Sequence, residues 1–190
     1  MITNMLWIIG VLIGGVLLGI VPSTLTLFKR LRDKVFLEKE EITISKWWSD
    51  YKNFFWKPQL VGYVWLLVGN IIYLDYKIVL AGSGVLYALL LILLSAIFII
   101  YISSTFLLIS IYVHYDFKVF NQVRLSILLS LIYPYYSVLF LAVLFVGLFS
   151  LNYFPVLFYL LGFSLFSLIS TIIAFSFFSK AEKNSLIVVK

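Results

Sequence analysis

Residues 85–113 read VLYALLLILLSAIFIIYISSTFLLISIYV, a run without one Asp, Glu, Lys or Arg. As a helix, that run reaches about 43 Å at 1.5 Å per residue, more than the roughly 30 Å of hydrocarbon in a bilayer. It therefore reads as a membrane-spanning helix that tilts, bends or extends past the apolar layer. Ser103, Ser104 and Thr105 form a polar waist within it.

The rest of the chain has the same character. Of its 190 residues 64% are apolar and 12% charged, with a mean hydropathy of +1.13, far outside the range of soluble domains. Four further apolar blocks, at about 5–28, 58–74, 125–148 and 155–178, approach or exceed the length a span needs. They lack the short alternating segments of a membrane β-barrel. The fold class is thus all-α, a polytopic transmembrane helical bundle of five spans forming a single membrane domain over residues 1–190 of the cell membrane. The block at 5–28 reads as a retained first span. No Lys or Arg precedes it, and it is longer than the roughly 7 to 15-residue apolar centre of a signal peptide.

Between the first two blocks lies the one long polar stretch, residues 29–57, KRLRDKVFLEKEEITISKWWSDYKNFFWK. Four basic residues, Lys29, Arg30, Arg32 and Lys34, crowd its start. From Thr43 or Ser45, both plausible N-caps, apolar residues recur at Ile44, Trp47, Trp48, Tyr51, Phe54 and Phe55, close to helical spacing. Lys46, Asp50, Asn53 and Lys57 are expected on the opposite side. The spacing predicts a short amphipathic helix with an aromatic face, suited to the headgroup layer of the lipid bilayer or to a partner. In the first span, Gly10, Gly14, Gly15 and Gly19 are small positions that admit a neighbouring helix closely, including one from a second copy of the chain. Pro22 removes a backbone donor and predicts a kink, with Ser23, Thr24 and Thr26 near enough to satisfy freed carbonyls.

With five spans, thirteen of the fourteen Lys/Arg fall on one side of the membrane and only Lys77 on the other. The positive-inside rule makes the crowded side cytoplasmic, so the N-terminus is expected outside and the C-terminus inside. The basic surplus is then a consequence of topology, and it gives no reason to expect nucleic acid as a partner.

Little catalytic chemistry is available. No Asp, Glu, Lys, Arg or His lies inside the five blocks; His114 only touches the end of the third. Proton-coupled carriers usually keep such a group in the membrane. His114 is the sole imidazole and the chain has no cysteine, so neither a three-His metal site nor a thiolate site can form within one chain. No HExxH and no Walker-type phosphate loop occurs. The expectation is a protein that is not an enzyme and holds no cofactor.

One order of features is distinctive: Gly19-Ile20-Val21-Pro22-Ser23 near the end of an early helix, a basic turn, the aromatic run Trp47 to Trp56, then Gly62. This resembles the YesL family of bacterial integral membrane proteins, also catalogued as a domain of unknown function. Gly19, Pro22, Ser23, Arg30, Trp48, Phe55, Trp56, Gly62 and Asp75 carry the likeness, which covers residues 15–77. The resemblance implies a non-enzymatic accessory role beside a carbohydrate ABC importer, with an ABC sugar permease as partner. The partner-binding surface expected on that reading combines Gly14, Gly15, Gly19 and Pro22 of the first span with Trp47, Trp48, Tyr51, Phe54, Phe55 and Trp56. The alternative is a transporter or pore for a neutral solute such as a sugar, with Asn70, Ser103, Ser104, Thr105, Tyr133 and Tyr136 as lining.

Overall fold

The computed structural model describes residues 2–37, 43–155 and 162–183, and no strand occurs among them. Eight helices follow one another: α1 (Ile2–Ile13), α2 (Leu17–Phe36), α3 (Ile44–Asn53), α4 (Gln59–Leu80), α5 (Val85–His114), α6 (Val119–Ile132), α7 (Pro134–Tyr153) and α8 (Phe163–Lys183).

The block expected as a first span is not one helix. The chain breaks at residues 14–16, where Gly15 and Val16 take φ of 67° and 62°, and α2 folds back along α1. Gly10 faces Ser23 and Trp7 bonds to Thr24, so the two helices run antiparallel. Neither is among the helices long and apolar enough to cross a bilayer. The 12 residues of α1 make about 18 Å, and the second half of α2 is basic. Among the described residues, four helices are long and apolar enough to cross: α4, α5, α7 and α8. Four candidate spans and a helical hairpin thus stand where five spans were expected.

The block at 125–148 also divides. Pro134 cannot continue the ladder of α6, and it opens α7 at a position where its missing donor is harmless. The second apolar block runs on to Leu80, taking Asp75 and Lys77 into α4. It meets α5 through a turn in which Gly84 has φ of 105°, a conformation that suits glycine. Of the block at 155–178, residues 156–161 lie outside the described residues.

The core lies at one end of the long helices. Phe106, Leu107, Ile111 and Tyr115 of α5 and its cap pack with Leu129, Phe140, Phe177 and Phe178 from α6, α7 and α8. The charged segments gather at this end. Arg32 of α2 donates to Asp33 and to the carbonyl of Val113, near the C-terminus of α5, where a cation suits the helix dipole. Phe36 stacks on Phe175 of α8 at 3.8 Å, and Tyr115 donates to Glu182 at 2.5 Å. At the other end of α8, the fully buried Asn4 accepts the backbone N–H of Ser164 at 3.1 Å. Asn4 thus satisfies one of the donors a helix start leaves open, from a different helix.

Away from that core stands an arm. Among the described residues, α4 buries only Gln59 and α5 buries nothing before Ser103. The two helices pack on each other there: Trp65 stacks on Tyr101, donates to Thr105 at 2.8 Å, and offers its carbonyl to the Tyr101 hydroxyl at 3.0 Å.

Candidate functional site

The aromatic run and the glycine-rich helix expected to receive a partner are partners of each other. α3 lies against the α1–α2 hairpin with Trp47 and Tyr51 buried, 2% and 3% exposed. A Cβ on Gly10 would sit 2.6 Å from the Trp47 ring, and one on Gly14 would sit 2.7 Å from the Tyr51 hydroxyl. Only glycine leaves room for those rings. The Tyr51 hydroxyl donates to the Gly10 carbonyl at 2.9 Å, and burial raises its pKa above the ordinary phenol value. Gly19 closes the same contact from α2, its Cα facing the backbone of Val11 and Gly10.

Charge locks α3 on the same inner side. Asp50 was expected on the outward face and points inward, taking Lys29 at 2.7 Å and Arg30. Arg30 also donates to the Lys46 carbonyl. The α3 helix is thus fastened to both arms of the α1–α2 hairpin by rings, glycines and ions together.

Of the ten expected partner-binding residues, Gly14, Gly19, Pro22, Trp47 and Tyr51 are buried within the chain. They are internal packing residues, because the helix that approaches the glycines is the chain's own. Gly15 is exposed in the hairpin turn, and Trp56 is 77% exposed. Trp48, Phe54 and Phe55 are half-buried; Lys52 lies over the Trp48 ring and Lys29 over Phe54. The aromatic surface left on α3 and the turn after it is therefore Trp48, Phe54, Phe55 and Trp56 edged with lysine.

Pro22 is buried inside α2. Its ring deletes the bond that residue 22 would make to the Leu18 carbonyl, and the Gln59 amide supplies that donor from the start of α4. The nearby Thr26 instead bonds the Pro22 carbonyl at 2.7 Å. Gln59 carried no signal beyond being a polar residue next to Pro58.

The residues considered as lining for a solute path are spread apart. Ser103 is buried and accepts from Ser137 at 2.8 Å, while Ser104 and Thr105 bond the Tyr101 carbonyl. Asn70 is exposed on α4. A cleft of about 250 Å³ between α2, α4 and α5 includes Thr105, and one of about 610 Å³ between α7 and α8 is walled by apolar residues such as Val143, Phe166 and Ile169. His114 rests among rings, 4.7 Å from Phe175 and 5.5 Å from Phe178. No group of three or more His, Cys, Asp or Glu suited to a metal occurs among the described residues.

The model of a family described as "Protein of unknown function, DUF624" matches residues 1–76, which hold α1, α2, α3 and most of α4. The chain is 30% identical over 182 residues to the uncharacterized protein YteU of Bacillus subtilis (strain 168), covering 96% of this chain and 82% of that protein. The chain belongs to the DUF624 family. The resemblance read from residues 15–77 is borne out, and the DUF624 match falls on the elements that Gly10, Gly14, Trp47, Tyr51 and Gln59 fasten together. No solved structure matches this DUF624 protein.

Proposed function

We propose that this chain is a non-enzymatic accessory protein of the cell membrane that binds another membrane protein, a permease of a carbohydrate ABC import system. The surface that would do so is formed by the accessible parts of Trp48 on α3 and of Phe54, Phe55 and Trp56 in the turn after it. The observation carrying this reading is that α3 is held on its inner side by buried Trp47, Tyr51 and Asp50 while Trp56 remains 77% exposed. A helix ordered in advance loses little conformational freedom on docking, and Trp is a frequent anchor of binding energy. The sugar-import context rests on the YesL-type resemblance.

With four spans, the segments after α2, after α5 and after α8 still share one side, and the positive-inside rule makes that side cytoplasmic. α3 then faces the compartment where an importer exposes its coupling loops. The test is affinity capture of the full chain from native membranes in mild detergent. A permease or its ATPase is expected with the wild type and is expected to be lost with Trp48→Ala/Phe55→Ala, the membrane insertion being unchanged. Capture of neither by the wild type would leave the reading without support.

A further inference from the structure

The exposed side of α4 carries a repeat that its own chain does not use. Leu60, Leu67 and Leu74 alternate with Val64, Ile71 and Ile78 at spacings of four and three. All six are between 51% and 75% exposed. Written as heptads, leucine fills every d position and a β-branched residue every a position, the combination that favours two parallel strands. The opposite side of the helix is the one α4 uses internally: Gly62 meets Val21, while Trp65 and Gly69 meet Tyr101.

In lipid, apolar exposure alone drives nothing, since acyl chains are as apolar as leucine. What sets this ridge apart is the strict alternation of side-chain shape and the polar residues beside it. Asn70 and Asp75 are both exposed. They occupy a g position and the following e position, five residues apart, which face each other across a parallel pair. An amide donor would there meet a carboxylate acceptor. Copies inserted in the same sense bring α4 to α4 in parallel, about a two-fold axis along the membrane normal.

We propose that α4 is a homodimerisation helix, two copies of the chain meeting along this ridge with Asn70 of each beside Asp75 of the other. The inference stands apart from the accessory role, since it concerns a different helix and a different partner.

The chain has no cysteine, so single cysteines can be placed in the full chain in native membranes. Oxidation is expected to join copies through Leu67→Cys, Ile71→Cys and Leu74→Cys, and not through Leu66→Cys or Tyr73→Cys. The last two positions are 57% and 53% exposed but lie off the ridge. Joining at all five alike, or at none, would overturn the proposal. A second measurement counts photobleaching steps of the labelled chain in dilute lipid vesicles. Two steps are expected for the wild type and one for Leu67→Ala/Leu74→Ala. A wild type that bleaches in one step removes the proposal, whatever other protein it captures.

Discussion

The side-chain amide of Gln59 donates to the carbonyl of Leu18, the acceptor that Pro22 leaves without its helical donor. A proline site in one helix is thereby tied to the first residue of another, and the freed carbonyl is satisfied across the fold. Gln59→Leu leaves that carbonyl unpaired, at a cost of about 1–3 kcal/mol. Because alanine at position 22 restores an N–H, Gln59→Leu is expected to cost less in a Pro22→Ala background. Thermal unfolding of the four proteins in one detergent gives the cycle, and equal costs in both backgrounds would contradict the link.

Gly10 is the narrowest point beneath α3. A methyl group there would lie 2.5 Å from Ser23 Oγ and 2.6 Å from the Trp47 ring, so Gly10→Ala is expected to destabilise the chain by about 1–3 kcal/mol through overpacking. The exposed Gly15 meets nothing within 4 Å, but its φ is 67°. Gly15→Ala acts through backbone strain alone, about 1–2 kcal/mol. Combining Gly10→Ala with Trp47→Phe should recover part of the first loss and, added to Gly15→Ala, none of the second, as read from melting temperatures.

Asp50 serves two cations whose side chains are 29% and 14% exposed, Lys29 and Arg30. Exposed pairs contribute at most about 1 kcal/mol and broken buried pairs cost about 3 kcal/mol or more. Asp50→Ala falls between these, nearer the upper figure because Arg30 is mostly covered. The expected sign of failure is local: tryptic cleavage at Lys46 and Lys52 accelerates before the long helices melt.

Tyr115 donates to Glu182, and its phenol is held well above the ordinary range by burial first and by the bond and charge of that carboxylate second. A raised folded pKa means stability that is complete below the unfolded value of about 10 and lost as pH rises past it. The wild type should therefore lose melting temperature above about pH 10 more steeply than Tyr115→Phe. Parallel slopes for the two proteins between neutral pH and the alkaline limit would refute the coupling.

The membrane class and the ends of α5 were legible because hydropathy over twenty residues is a sum that no single contact overturns. The first block misled because its breaking signal, Gly14-Gly15, also reads as a packing surface, and because Val16 follows Gly15 into positive φ, which a β-branched residue seldom adopts. The length of an apolar run does not say whether the chain turns within it. In α3 the helical spacing put Trp47 and Tyr51 on one face, and both are buried, but spacing gives a face and not its partner. Asp50 lies next to that face, and the cations that draw it inward, Lys29 and Arg30, are distant in sequence. Gln59 had no local signal at all, since its role depends on where Pro22 lies in space.

The bond between Asn4 and Ser164 also fixes an order of assembly. Asn4 is made 160 positions before Ser164, whose backbone N–H it accepts in the folded chain. At roughly 5–20 residues per second that interval is on the order of ten seconds or more. Helix α1 must wait through it beside its hairpin partner α2, and the start of α8 completes a contact begun far upstream in the chain.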